Sequence, residues 1–559
     1  MINKENNTVY YEIAKKLNDI YKDVDTYSEI FEIEKKQAEE EVKLFTEYKL
    51  KAIQGIRPAR DYIVNQFTIM MTSKYLKIND DKLRDIINFE QIQKNEVQVL
   101  FEMLLFVHDI SDLLNNYVVG FWTVNSKDIF KITEDNVRAI AKREESSIKQ
   151  VFQNKINRLK LLATFIYAKE YGQDIIDTLQ YHNINEIGFL GVSYIYLIYK
   201  GNKVLLEFLK FENEGILLSI QKKTTSRAKP QYDEQNPAIV ASKLSGSRIT
   251  VAGYDATPTD EELFYNERIF NLVKISLEDM RDRYNTINDI IYKFLCFNQE
   301  GRGCYFVTGS DMAIGKSTFL LAMLGKTPDN WGIGILDTQN ELQARRKFPR
   351  KNIITLIQNA KLSFAQLFAI MLKMARDVLI VGEITLPEEV AELIKSALRL
   401  NAGVGGTLHS MSPYETVPNL RNLCLLTDMY NSADVAEADI SRGIDLIVHL
   451  ARHPKEPGRI VVESVVEIEY LEQNVFANIK KEGNFREKLE NLIEMAQLAV
   501  QKYLYKKCYR YNDIFKFDYE NGEWVAIRKP SDTYINKLSR YIDKNEYAGF
   551  VNNVNWTNK

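Results

Sequence analysis

From the amino terminus to about residue 125, apolar and polar positions alternate with a helical period. Ala38, Val42, Phe45 and Ala52 recur among Glu and Lys at steps that keep them on one helix face, and Gly55 with Pro58 closes that run. Val97 to Val107 is a second, more apolar helical stretch. A charged helical stretch runs from Asp135 to Glu170. The texture then changes. Ser193-Tyr-Ile-Tyr-Leu-Ile-Tyr199 is rich in strand formers, Gly201-Asn202 supplies a hairpin-like turn, and Val204-Leu-Leu206 reads as its partner strand. Polar residues from Lys222 to Asn236 read as a connection, and Ala238 to Ala252 as two strands joined at Ser245-Gly246. One helix, Val273 to Phe297, leads to a short strand, Cys304 to Thr308, and a helix through Phe319–Leu324. Two more apolar strands follow, Gly332 to Asp337 and Asp377 to Glu383. A charged helical stretch near 484–507 interrupts the last strand-like segments and reads as an insertion. The pattern thus predicts a helical region over 1–130, a mixed α/β domain over 131–272 and a larger α/β domain over 273–559.

Composition narrows the class. A chain of 559 residues with 45% hydrophobic and 27% charged positions is neither disordered nor fibrous. Its 73 basic and 76 acidic side chains give a net charge of −3, so global electrostatics offer no attraction to nucleic acid or anionic lipid. Cys296, Cys304, Cys424 and Cys508 form no C-x-x-C pair, which argues against a disulfide framework or cysteine zinc site and fits a reducing cytoplasm. The amino-terminal residues lack the apolar core of a signal peptide. The stretch from Val97 to Ile110 is too short and too interrupted, by Glu102 and His108, to span a bilayer.

The chemistry concentrates after residue 304. The predicted strand enters Gly309-Ser-Asp-Met-Ala-Ile-Gly315-Lys316-Ser317-Thr318, and a helix follows. Strand, glycine loop, Lys-Ser and helix is the context of a phosphate-binding loop. Backbone N–H groups and the helix dipole there favour negative charge. Lys316 is placed to neutralise phosphate oxygens and the Ser317 hydroxyl to ligate Mg²⁺. Five residues separate Gly309 from Gly315 where four are usual, so either Ser310 takes the first glycine's place or the loop is one residue longer. The candidate nucleotide-binding set is Gly309, Ser310, Ile314, Gly315, Lys316, Ser317 and Thr318. Downstream, two strands each deliver acid: Asp337, with Glu341 following, and Glu383. Carboxylates at the ends of parallel strands can hold hydrated Mg²⁺ or orient water. Gly403-Val-Gly-Gly-Thr-Leu-His409 adds a histidine after a glycine-rich turn. His449 and His453 read as lying near a strand end without metal-ligand context.

The order of these segments resembles the secretion traffic ATPases of type II and type IV secretion and pilus systems, most nearly the CpaF-like branch of Tad/Flp pili. In that family a Walker A loop precedes an Asp box, similar to Asp337-Thr-Gln-Asn-Glu341, then a Walker B, similar to Leu379-Ile-Val-Gly-Glu383. A His box follows, similar to Gly406-Thr-Leu-His409-Ser-Met-Ser-Pro413. Further likenesses are Asn183 to Gly191, Ser226-Arg227, Asp233 to Pro237, Gly246-Ser-Arg248, Asn-Glu-Arg268 and Asn512 to Phe517, so the resemblance covers roughly 170–530. It implies a RecA-like P-loop NTPase core behind a mixed α/β N-terminal domain and a helical N-terminal bundle. It further implies a homo-hexamer that cleaves ATP with Mg²⁺. In that scheme Lys316 clamps phosphate, and Ser317, Glu341 and Glu383 face the metal. Glu383 orients water with Asp337 or Glu341, and His409 senses the γ-phosphate. Arg248 and Arg268 stabilise charge between domains or subunits; a surface ion pair is their ordinary alternative. The expected setting is cytoplasmic, against a membrane platform protein. The turn Ile384-Thr-Leu-Pro387-Glu388 lacks the family's arginine. Two other readings are a nucleotide-binding structural subunit without turnover and a DNA-translocating ring, the latter without a basic stripe to support it.

Overall fold

The computed structural model describes residues 7–73, 75–76, 78–117, 129–199, 202–269, 275–311, 314–338, 340–358, 361–400, 403–456, 458–471, 483–505 and 507–557. Of the sequence features above, Gly201, the start of the Val273 helix, Met312-Ala313, Gln339 and residues 118–128 lie outside these. The chain divides into two compact units, 1–271 and 272–559.

The first unit joins helices to a seven-stranded sheet. Its strands are β1 (Phe130–Ile132), β2 (Glu186–Leu190), β3 (Tyr194–Tyr199), β4 (Asn202–Leu206), β5 (Ala238–Ser242), β6 (Arg248–Ala252) and β7 (Phe264–Arg268), in the order β1-β4-β3-β2-β7-β6-β5. The helix Lys35–Ile53 buries Ala38, Phe45 and Ala52. Gly55 then takes φ +76°, and Pro58 sits in the first turn of the next helix, Arg57–Thr72, where its missing N–H is no loss. The Asp135–Glu170 stretch is three helices rather than one, Glu134–Arg143, Glu145–Phe152 and Lys155–Glu170, restarted by caps at Thr133 and Asn154. Lys222 and Lys223 belong to a helix, Glu214–Thr224. That helix is masked in the sequence because its buried face includes Gln221, whose amide donates to the carbonyls of Ala252 and Phe264.

Two clusters of charge are sealed inside this unit. Lys243 on the β5–β6 turn lies 2.7 Å from Glu267 on β7, both side chains fully buried. Gln173 and Tyr265 also donate to Glu267, and Lys243 donates to Gln180. Elsewhere a cavity of about 30 Å³, room for a water molecule, is lined by Tyr10, Phe101, Glu102, Asp174 and Thr178 among others. Burial pushes the Asp174 carboxyl up to about 7, with Glu212 adding and Lys169 opposing. Asp174 binds its proton more tightly folded than unfolded. Its contribution is therefore full below the unfolded value near 3.8 and lost as pH rises through about 7. Asp174 also holds φ +52°, which asparagine tolerates. Asp174→Asn should raise the unfolding midpoint of full-length protein at pH 8 and leave it unchanged at pH 4. An equal effect at both values would contradict the buried-acid account.

The second unit carries nine strands: β8 (Tyr305–Gly309), β9 (Gly332–Leu336), β10 (Asn352–Leu356), β11 (Val378–Ile384), β12 (Gly403–His409), β13 (Leu446–Arg452), β14 (Ile460–Tyr470), β15 (Tyr509–Asp518) and β16 (Glu523–Ala526). Their order is β10-β9-β11-β12-β8-β13-β14-β15-β16. The first six run parallel and the last three are added antiparallel. This is a RecA-like α/β sheet, and β8 and β9 are buried along their whole length, as strands covered on both faces must be. The single helix expected over Val273–Phe297 is two, Leu277–Asp282 and Asp289–Glu300. Ser276 and Asn288 cap them, and Asn285 takes φ +47° in the break. The charged stretch near 484–507 is a helix, Phe485–Tyr505, which exposes Phe485, Leu492, Ile493 and Val500. Among the described residues no helix is long and apolar enough to cross a membrane.

Candidate nucleotide site

Parallel strands pool their carboxyl ends, and in this sheet four adjacent ones meet around one loop. Asp337 directly follows β9, Glu383 lies near the end of β11, His409 ends β12 and Gly309 ends β8. His409 and Gly309 are direct partners in the register, and the Ser410 amide donates to the Gly309 carbonyl. A Cβ on Gly309 would come within 3.0 Å of both Ile314 Cγ2 and the Leu450 carbonyl oxygen, so the strand leaves for the loop through a tight gap. Gly315 takes φ +87° as the cap of the helix Lys316–Gly325. Ser317 and Thr318 stand half-buried in the first turn, where helix N–H groups have no partner of their own. Within the loop, Ser310 donates to Asp311, which pairs with Arg452 at the end of β13 at 3.4 Å.

Lys316, His409 and Glu383 converge. The Lys316 ammonium lies 3.3 Å from His409 Nδ1 and 3.1 Å from Nε2, and His409 Nε2 lies 3.3 Å from Glu383 Oε1. A neutral ring that accepts from Lys316 and donates to Glu383 satisfies all three groups. Lys316 is 7% exposed as a residue, so its charge acts through little water. Glu383 owes its direction to a shift in the β11–β12 register between Val381 and Ile384, which breaks the strict alternation of the strand. Asp337 packs behind it. Its carboxyl occupies the space of a Gly382 side chain, with Cγ 2.9 Å from where Cβ would stand, and accepts from the Leu342 amide at 3.0 Å. Glu341 is buried in the same loop.

Arg248 and Arg268 belong to the first unit. They are cross-strand partners on β6 and β7, and Arg268 lies 3.9 Å from Glu186. Among the described residues no cluster of three or more His, Cys, Asp or Glu could hold a metal ion by itself. A Mg²⁺ ion beside a polyphosphate would share its coordination with phosphate oxygens, the usual arrangement for this hard, strongly hydrated cation. The loop amides, Lys316, the Ser317 hydroxyl and the nearby acids fit a magnesium-bound polyphosphate.

Two supporting residues escaped the sequence reading, and a third was placed differently by it. Thr407, fully buried on β12, donates to the Gly382 carbonyl at 2.7 Å and fixes the strand beneath Glu383. Glu389 accepts from the Thr385 and Leu386 amides at 2.7 and 2.8 Å, closing the turn after Glu383. Burial, with the nearby Glu383 charge adding, pushes the Glu389 carboxyl above its ordinary range. The acid two residues inside Pro387 was its only signal. His449 lies in the middle of β13 rather than near its end, fully buried.

No protein-family model matches the chain. No curated protein matches it. Solved structures do. The VirB11 ATPase of the Brucella suis type IV secretion system is 16% identical over 51% of this chain and 89% of that one, with a TM-score of 0.29. The Legionella pneumophila ATPase DotB is 17% identical over 57% and 88%, with a TM-score of 0.37. The pilus retraction motor PilT with bound ADP is 17% identical over 57% and 86%, with a TM-score of 0.36. The strand order and the loop–helix unit carry the fold assignment by themselves.

Proposed function

We propose that this chain is an ATP hydrolase of the secretion or pilus type, a hexameric ring that couples hydrolysis to assembly of a membrane-bound machine. The observation that carries the reading is the convergence of Lys316, His409 and Glu383 at the head of the Lys316–Gly325 helix. Loop amides and Lys316 hold the β- and γ-phosphates. Glu383, with Asp337 packed behind it, orients the attacking water and accepts its proton. His409 lies between the lysine and the acid, so a change in phosphate charge alters both of its contacts. Mg²⁺, when bound, would neutralise charge developing on the phosphate oxygens, with Ser317, Glu341 and Glu383 as the residues beside it. Arg248 and Arg268 are proposed to meet phosphate from a second domain or subunit. The platform partner and a location on the cytoplasmic face of a membrane belong to the same proposal.

Glu383→Gln tests it. The variant should bind Mg·ATP as the wild type does while phosphate release falls by roughly 10²–10³-fold, the scale of a lost general base. Undiminished turnover would remove Glu383 from the chemistry. A second reading, a nucleotide-binding subunit without turnover, is favoured by the turn after Glu383, which has no arginine and is closed instead by Glu389. Mg·ATP binding by wild-type protein with no phosphate release would select it.

A further inference from the structure

The cavity inside the first unit is lined by acceptors that lack donors. Its walls come from separate elements: Tyr10 from the helix Asn7–Ile20, Gln98, Phe101 and Glu102 from Val97–Val107, and Thr164 and Lys169 from Lys155–Glu170. Asp174 and Thr178 close it from the 3₁₀ turns that follow. Asp174 is 6% exposed, and among the described residues none hydrogen bonds to its carboxylate or forms an ion pair with it. Gln98 Oε1 is buried and likewise without a partner.

The donors around this space are committed elsewhere. The Tyr10 hydroxyl donates to the Phe165 carbonyl at 3.2 Å, and the Thr164 hydroxyl to the Lys160 carbonyl at 2.9 Å. The Lys169 ammonium pairs with Glu212 at 3.1 Å, and the Gln98 amide nitrogen donates to the Lys210 carbonyl at 3.5 Å. The Thr178 hydroxyl serves Glu102. Two carboxyl groups thus face a space whose lining lysine is already neutralised. A buried acceptor without a donor is costly, and an ionised one without a cation more so.

We propose that this cavity binds a water-sized monovalent cation, potassium or ammonium, through the Asp174 carboxylate and Gln98 Oε1. Its volume of about 30 Å³ admits one ion of that size and excludes an organic cation. Magnesium fits poorly, since it gives up its own waters reluctantly. The Tyr10 and Phe101 rings supply walls that attract positive charge. The ion would tie the Asn7–Ile20 helix, through Tyr10, to the elements that carry the two oxygens.

Protons compete for the same carboxylate. Burial raises the Asp174 carboxyl to about 7, Lys169 and Lys223 oppose the rise and Glu212 adds to it. Glu102, also raised to about 7 by burial against Thr178 and Arg60, gains its charge over the same range. The cation needs the ionised form, so binding is full above that value and lost as pH falls below it.

The test is the unfolding midpoint of full-length protein in potassium, ammonium or tetramethylammonium chloride at equal ionic strength. At pH 8 the wild type should melt roughly 2–4 °C higher in potassium or ammonium than in tetramethylammonium, and at pH 5 the difference should vanish. Asp174→Asn should melt alike in all three salts, so its advantage over the wild type at pH 8 shrinks in potassium. A larger rise in potassium supports coordination by oxygen, and a larger rise in ammonium supports N–H donation to the same two acceptors. Equal wild-type midpoints in the three salts at pH 8 would mean that the cavity takes only water, and would overturn the proposal. So would a potassium effect that Asp174→Asn retains. If that variant does not fold, the wild type decides alone: a potassium effect of the same size at pH 5 and pH 8 would place the ion away from Asp174.

Discussion

Lys316→Ala should abolish phosphate release from Mg·ATP while the protein stays folded. Lys316 is a buried cation of the loop, and its ammonium meets the His409 ring at 3.1 Å from Nε2. A preorganised charge facing a transferring phosphoryl group is worth about 3–4 kcal/mol in the barrier, a loss of roughly 10²–10³-fold in turnover. The aliphatic stem lies at the first turn of a helix whose core contacts come from Phe319, Leu320 and Met323. Far-UV circular dichroism and the unfolding midpoint should therefore stay near those of the wild type. A variant with normal turnover would show that the loop does not hold the reacting phosphate, whatever the fold.

The second large effect concerns stability, in the first unit. Lys243→Met should lower it by about 3–5 kcal/mol, because the change leaves Glu267 charged, buried and without its cation. Gln173 and Tyr265 still donate to Glu267, but neither supplies a positive charge. For a unit of this size the shift corresponds to a fall of roughly 10 °C in its thermal transition. Adding Glu267→Gln to the Lys243→Met protein should recover a large part of the loss, since the uncompensated charge is then gone. The pH sign is opposite to that of Asp174. Lys243 and the donors around it hold the Glu267 carboxyl below its ordinary range despite burial. Its contribution is present above the unfolded carboxylate value and lost as pH falls through the folded one. A thermal scan in which the single and double variants melt alike would show that burial of the charge is not what the lysine offsets.

Much of the larger sheet was legible in the sequence because its central strands are buried on both faces. Such strands appear as uninterrupted apolar runs, as Cys304 to Thr308, Gly332 to Asp337 and Asp377 to Glu383 do, and they match β8, β9 and β11. Helix boundaries were less legible. The break between Leu277–Asp282 and Asp289–Glu300 carries two capping signals, Ser276 with Asp279 and Asn288, yet the apolar period runs through it without a gap. Glu214–Thr224 escaped because its buried face includes two polar residues: Gln221, satisfied by tertiary hydrogen bonds, and Thr224, whose hydroxyl donates back to the Ile220 carbonyl of its own helix. The candidate site was legible as separate boxes, and their meeting point was not. Lys316 and His409 lie 93 residues apart and touch only because β12 is laid beside β8. Thr407 gave no signal and His449 was read only as a histidine near a strand end, because each makes its contact through the strand next to its own.

The position of β8 in the sheet bears on biosynthesis. One neighbour, β12, begins at Gly403, and the other, β13, at Leu446, long after Gly309 has left the ribosome. Until both have been made, β8 is an open edge, largely apolar and ready to pair with another chain. The nascent loop after Gly309 therefore waits for more than a hundred further residues before its strand is enclosed. Truncation products ending before β13 should accumulate as insoluble protein rather than as smaller folded fragments.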